Sequence, residues 1–187
     1  MDDQQLTWYA IAAKQGDREA AAAFVRGTQR QVRQLLRHLT DRHHADDLTQ
    51  DCYVRAFSSL ASFRGQASAR SWLLAIARRV AADHLRRRRR RPQQADCVDW
   101  QSAAERVQPL QPAMSESYAL RVALGELDAD RREAFVLTQV LGLSYEETAR
   151  VCGCRIGTVR SRVARARSDL AEHLRDDAPA PRADPGG

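Results

Sequence analysis

The side chains in this sequence whose type and spacing suggest chemistry are mostly arginines, and they fall in two clusters. One is the run from Arg86 to Arg91, preceded by Arg78 and Arg79. The other is Arg155, Arg160, Arg162 and Arg165 within RIGTVRSRVARAR. A guanidinium stays charged at any ordinary pH, and its planar fork of donors matches phosphate oxygens and the guanine edge. Adjacent arginines in such a run cannot all find local acids, so they repel one another until a polyanion arrives. A nucleic-acid backbone is the obvious one, with a strong salt dependence. Asp83 lies among them, placed to hold an arginine in orientation.

Two other groupings have different chemistry. DDLTQD, residues 46–51, sets Asp46, Asp47, Gln50 and Asp51 in an acidic and amide strip. DNA would repel such a strip, whereas a basic protein surface would suit it. SFRGQASARSW, residues 62–72, places Phe63 and Trp72 around a stretch of small residues that carries Arg64, Gly65 and Arg70. Aromatic plates beside arginines suit unstacked bases of a single strand. Trp72 continues a stripe with Ile76, Val80 and His84, which favours a core position for it, while Phe63 is open to either role.

Enzyme chemistry finds no support. No nucleophile–base arrangement, phosphate-cradling glycine loop or metal quartet occurs. His43, His44, His84 and His173 are dispersed or surface-like. The cysteines are Cys52, Cys97, Cys152 and Cys154, and one Cys-x-Cys pair without a second pair is a poor zinc signal. No cofactor or metal is expected. The 187 residues fit one domain or two small ones, and the formal charge of +6, mostly from arginine, suits a polyanionic partner. No run of about 18 apolar residues exists, so no membrane insertion is expected. The N-terminus lacks the basic-then-apolar order of a secretory signal. The expected location is the cytoplasm.

The elements that must position these groups are helical. A helix can begin at Asp17 to Glu19 and carry Ala20, Phe24, Val32, Leu35, Leu36 and Leu39. Ala45 to Leu60 forms the next, its acidic start suited to the positive end of a helix. Phe63 to Gln66 reads as a loop, and a long helix follows from about Ser68 to Arg88. Pro92 closes this first unit, residues 1–91. Residues 92–115, with three prolines, read as a flexible linker; residues 116–176 form a second helical unit, and 177–187 a disordered tail.

In the second unit, Tyr118, Val122, Leu124 and Leu127 suggest one helix and Arg131 to Leu141 another. Ser144 and Glu147 have the spacing of a capping box, Gly153 marks a tight turn, and a final helix starts near Ile156 or Gly157. Val159, Val163, Ala166 and Leu170 line one side of it. Thr158, Ser161 and Arg165 lie on the other side, flanked by Arg160 and Arg162. This is a helix-turn-helix pattern, able to place one helix in a major groove of duplex DNA. Arg155, Arg160 and Arg162 could clamp phosphates or reach guanine edges, and Thr158, Ser161 and Arg165 are better placed for base edges. The fold class expected is all-α: two small helical domains joined by a flexible linker.

The segments DDLTQDCYVRAF, SFRGQASARSWLLAIARRVAADHLRRRRRR and LDADRREAFVLTQVLGLSYEETARVCGCRIGTVRSRVARAR occur in one order, and together they resemble the extracytoplasmic-function class of bacterial RNA polymerase sigma factors. The resemblance spans nearly the whole chain apart from linker and tail. It implies a non-catalytic subunit that binds core RNA polymerase, directs it to promoters and helps melt the DNA. It implies that Asp46, Asp47, Gln50 and Asp51 dock on the clamp helices of the largest subunit, with the flap region as a second contact. Phe63, Arg64 and Gly65 would belong to the loop that captures a flipped base of the −10 element. Trp72, Arg78, Arg79 and Asp83 would lie in the helix at the melting point, with Arg70, Arg86 and Arg87 also expected to bind the −10 DNA, and residues 155–165 would read the −35 element. Many family members are held by an anti-sigma partner. Two positions depart from the common pattern: Ala69 stands where an aromatic is frequent and Arg79 where asparagine is frequent. The competing expectation is a helix-turn-helix regulator that binds duplex DNA independently of polymerase, marked by symmetric half-sites and a stable dimer.

Overall fold

The side chains of Asp2 and Asp17 open the first two helices, each accepting a hydrogen bond from the amide three residues on. In the computed structural model, which describes residues 1–90, 120 and 122–176, these are α1 (Asp3–Lys14) and α2 (Arg18–Leu39). A single 3-10 turn leads into α3 (Ala45–Ser59), and a second 3-10 turn and a loop lead into α4 (Ala69–Arg90). The proposed linker and tail, together with Arg91, Cys97 and Tyr118, lie outside the described residues.

The second unit begins with helical residues 122–126, then α5 (Ala129–Phe135), α6 (Tyr145–Cys152) and α7 (Ile156–Asp176). The helix expected over 131–141 does not run straight through. After Phe135 it widens into a π-turn at Val136–Val140, closed by the Leu141 amide donating to the Val136 carbonyl at 2.9 Å. Val122 is exposed, while Leu124 and Leu127 are buried. Among the described residues every regular element is helical, and the two helical bundles match the expected all-α class.

Helix α2 buries Ala20, Phe24, Thr28, Val32, Leu35 and Leu36, recurring at helical spacing along one face. Helix α4 buries Leu73, Leu74, Ile76, Ala77, Val80 and Ala81 against α2 and α3. Each large apolar side chain so placed stabilises the fold by about 1.5–3 kcal/mol before the entropy of ordering is set against it. Helix α1 was not foreseen. It buries only Leu6 and Ala10 and leaves Trp8 and Ile11 in water, so its sequence carries little amphipathic signal.

The two bundles are also packed on each other. Val136, Leu137, Leu141, Leu143, Val151 and Cys152 of the second unit join the core cluster of the first. Helix α4 lies against α6, and α2 against α5. Among the described residues, no helix is long and apolar enough to cross a membrane.

Candidate nucleic-acid interface

The helix-turn-helix forms for local reasons. Ser144 Oγ accepts from the Glu147 amide at 3.1 Å and Glu147 Oε2 accepts from the Ser144 amide at 2.8 Å, so the capping box that starts α6 is complete. Gly153 ends α6 at φ 65°, a left-handed conformation that costs glycine nothing and other residues strain. The chain then re-enters helix at Ile156. Val159, Val163, Ala166 and Leu170 are buried, as their spacing required. Arg155, Arg160, Ser161 and Arg165 are exposed, and Thr158 is half-buried. The Ser161 hydroxyl donates to the Thr158 carbonyl at 2.9 Å.

Arg162 differs from its neighbours. It is half-buried and donates to the Asp130 carboxylate on α5, with a longer contact to Cys154 Sγ at 3.9 Å. Its charge is already engaged within the protein, so it ties α7 to α5. Arg131 does the same from α5, donating to Asp169 at 2.7 Å.

In the first unit, the DDLTQD strip lies on α3 with Asp46, Asp47 and Gln50 exposed and Asp51 half-buried. Asp46 is bonded to Arg33 of α2, which holds its carboxyl below the usual carboxylate range. Asp51 pairs with Arg55 at 3.0 Å, and Arg55 in turn donates to Asp83 of α4 at 2.7 Å. Asp83 also accepts from Arg86, one turn along α4. These bonds, the one to Arg55 foremost, lower the Asp83 carboxyl, with burial opposing them. The orienting role foreseen for Asp83 is thus met by two arginines.

The question left open for Phe63 has an answer. It is 6 % exposed and packs on Trp72, ring centroids 4.9 Å apart, so both aromatics serve the core at this point. Arg64 is exposed beside it, and Gly65 turns the loop at φ 70°. Lys14 donates to the Phe63 carbonyl at 2.9 Å and fixes the start of the loop to α1. The exposed aromatic near this loop is instead Trp8, which motif reasoning missed; its position on an unforeseen helix left no pattern to find it by.

Along α4 the arginines divide. Arg79, Arg86 and Arg87 are exposed. Arg70 donates to Gln31 at 2.8 Å and to the Leu141 carbonyl, and faces Asp3 at 3.8 Å. Arg78 donates to the Glu133 carboxylate on α5. Burial pushes the Glu133 carboxyl up, against the pull of Arg78. In this arrangement the second unit therefore occupies two of the arginines expected to serve the −10 element, Arg70 and Arg78. The histidines also need correction: His44 and His84 are not dispersed but meet with ring centroids 4.7 Å apart where α4 passes the start of α3. Cys52 and Cys152 are buried, and burial pushes both thiols up to about 12, as suits core residues.

Comparison with known proteins fits this geometry. Residues 24–91 match sigma-70 region 2 and residues 117–170 match sigma-70 region 4. The chain is 41 % identical over 182 residues to the ECF RNA polymerase sigma factor SigC of Mycobacterium tuberculosis, covering 94 % of this chain and 95 % of that one. It is 32 % identical over 179 residues to the ECF RNA polymerase sigma-E factor of Escherichia coli, covering 89 % and 94 %. Among solved structures, CnrH in complex with the cytosolic domain of CnrY superposes with a TM-score of 0.73 at 26 % identity, covering 93 % of this chain and 99 % of that one. The sigma factor RpoE bound to the anti-sigma factor NepR from Bartonella quintana superposes with a TM-score of 0.64 at 30 % identity, covering 82 % and 96 %. The chain belongs to the extracytoplasmic-function sigma factors of the sigma-70 family.

Proposed function

We propose that this protein binds core RNA polymerase, directs it to promoters with two spaced elements and promotes melting at the −10 element. The observation that carries the reading is the presence on one chain of three chemically distinct surfaces. They are the exposed arginine face of α7, the acidic strip of α3, and the loop and basic end of α4. A duplex-binding regulator would need only the first. On this reading Arg155, Arg160, Ser161 and Arg165, with Thr158, face the −35 duplex, and Arg162 positions the helix that carries them. Asp47 and Gln50, flanked by Asp46 and Asp51, meet the clamp helices of polymerase. Arg64 and Gly65 form the capturing loop, which Phe63 and Trp72 support from beneath, and Arg79, Arg86 and Arg87 follow the phosphates.

Melting needs no nucleotide hydrolysis here. Capturing an extruded base offsets part of the few kcal/mol that unstacking costs. The functional division is residues 1–91 for polymerase and the −10 element, 92–115 as connector and 116–176 for the −35 element. Two solved relatives are complexes, one with CnrY and one with an anti-sigma factor, and they support an anti-sigma partner for this chain as well.

The test is reconstituted transcription with bacterial core polymerase on a promoter library, with duplex and pre-melted templates. Starts should depend on the protein and share two spaced elements. Arg165→Ala should lower them and relax preference at one −35 position, a bidentate base contact being worth about 1–3 kcal/mol. Arg64→Ala should lower them on duplex more than on pre-melted templates. If core polymerase is neither bound nor redirected while the protein still footprints duplex DNA, an independent regulator is the better account.

A further inference from the structure

Beyond Ala81 helix α4 buries no residue, and side chains tie its basic end to the elements beside it. Asp83 accepts from Arg55 of α3, His84 meets His44, and Arg88 donates to Asp41. The imidazole contact is the unusual one. His44 closes the 3-10 turn Arg42–His44 and precedes α3 without capping it through its side chain. Its ring lies 4.7 Å from that of His84 between centroids, tilted by 49°. His44 is exposed and His84 half-buried, and the Nε2 atom of His84 is buried with no hydrogen-bond partner. A neutral ring can keep that atom bare. An imidazolium carries a proton on both nitrogens and would bury a donor without an acceptor.

The surroundings also weigh against a proton on this pair. Burial acts first on His84, then the His44 ring, Arg88 and Arg87; Asp41 opposes them, and the balance holds His84 below the ordinary 6.5. Asp41 is itself engaged by Arg88. From α3, Arg55 meets this stretch of α4 but is taken up by Asp83 and Asp51. A proton on His44 would set a cation at the positive end of α3 as well. The Arg88–Asp41 pair is exposed at both ends, and a pair so placed adds little by itself. It cannot hold the end of α4 against two facing cations.

We propose that the His44–His84 contact is a proton-sensitive latch. Neutral, it holds the basic end of α4 on the turn before α3; protonated, it lets that end go from Arg86 onward. The released form takes the proton more readily than the latched one. The latch is therefore whole above 6.5 and weakens as pH falls below it, until His84 is protonated in the latched form too. On the sigma-factor reading above, the released end carries Arg86 and Arg87, so the geometry offered to the −10 phosphates depends on pH. The latch itself does not rest on that reading.

The test uses the free full-length chain, with nuclear magnetic resonance titration of the imidazoles and nitrogen-15 relaxation of the α4 amides from pH 8 to pH 5. Mobility over residues 85–90 should rise in one step that follows the His84 titration, with its midpoint below 6.5. The ratio of latched to released chain should fall about tenfold for each unit by which latched His84 titrates below the free imidazole. His84→Gln should abolish the step, and His43→Gln, a change at an exposed neighbour, should leave it in place. His44→Lys fixes a cation on an exposed position and should leave residues 85–90 mobile already at pH 8. Melting followed by circular dichroism checks that each variant is folded. Flat mobility in the wild type, a step that persists in His84→Gln, or an ordered end in His44→Lys at pH 8 would each overturn the latch and leave the sigma reading standing.

Discussion

Asp83 sits between two arginines from different places, Arg55 of α3 and Arg86 of its own helix, and so joins α3 to α4. The hydrogen bond from Arg55 is the main reason its carboxyl titrates below the ordinary 3.8. The unfolded chain binds the proton more readily than the folded one, so the stability Asp83 adds is present above 3.8 and is lost as pH falls through its depressed folded value. Asp83→Asn should therefore lower the melting temperature at pH 6, and the gap to wild type should shrink and close as the pH drops below that value. Thermal melts followed by circular dichroism between pH 6 and 2 measure this directly. A constant gap would mean that Asp83 acts through packing, not through charge.

At the scale of elements, the α6–turn–α7 corner was legible because each of its signals is local. Ser144 and Glu147 announce the cap, Gly153 the turn, and the run of Val159, Val163, Ala166 and Leu170 the buried side. Gly153 offers a clean check. A Cβ built there meets nothing within 4 Å, so Gly153→Ala carries only the cost of the left-handed backbone, about 1–2 kcal/mol. Chemical denaturation should show a loss of that size with an unchanged slope, and −35 duplex affinity should fall only as far as α7 is tilted. Helix α1 and the π-turn were not legible for the opposite reason. Two buried residues, Leu6 and Ala10, do not make a period, and the widening after Phe135 is set by the core that Val136 and Leu137 enter, not by their own sequence. The roles of Phe63 and Arg162 were hidden in the same way. A residue type shows what a side chain can bind, but Phe63 is taken by Trp72 and Arg162 by Asp130, partners 9 and 32 residues away.

The whole molecule poses a conflict that neither unit poses alone. Periodicity shows that Leu141, Leu143, Val151 and Cys152 need cover, but it cannot say that the cover comes from the other unit. In this arrangement Arg70 and Arg78 are held by the Leu141 carbonyl and by Glu133, and neither can serve a DNA strand while so held. On the proposed function, Arg79, Arg86 and Arg87 are free to meet DNA as they stand, whereas use of Arg70 and Arg78 requires the units to part, and the contact between them then becomes a term in promoter affinity. Glu133 is buried, while the Arg78 side chain is 32 % exposed, so the pair matters most through what its loss would leave, a buried carboxylate without a partner. Reversing the charge opposes two cations across the contact. Glu133→Lys should thus open the free protein, raising its radius of gyration in small-angle scattering, with both bundles still helical by circular dichroism. The charge swap Glu133→Lys with Arg78→Glu should close it again, since restored pairing in a double-mutant cycle isolates that one interaction. An unchanged radius in Glu133→Lys would mean that the shared apolar core holds the units together without the ion pair, and Arg70 and Arg78 would then have to be released by whatever partner separates the two units.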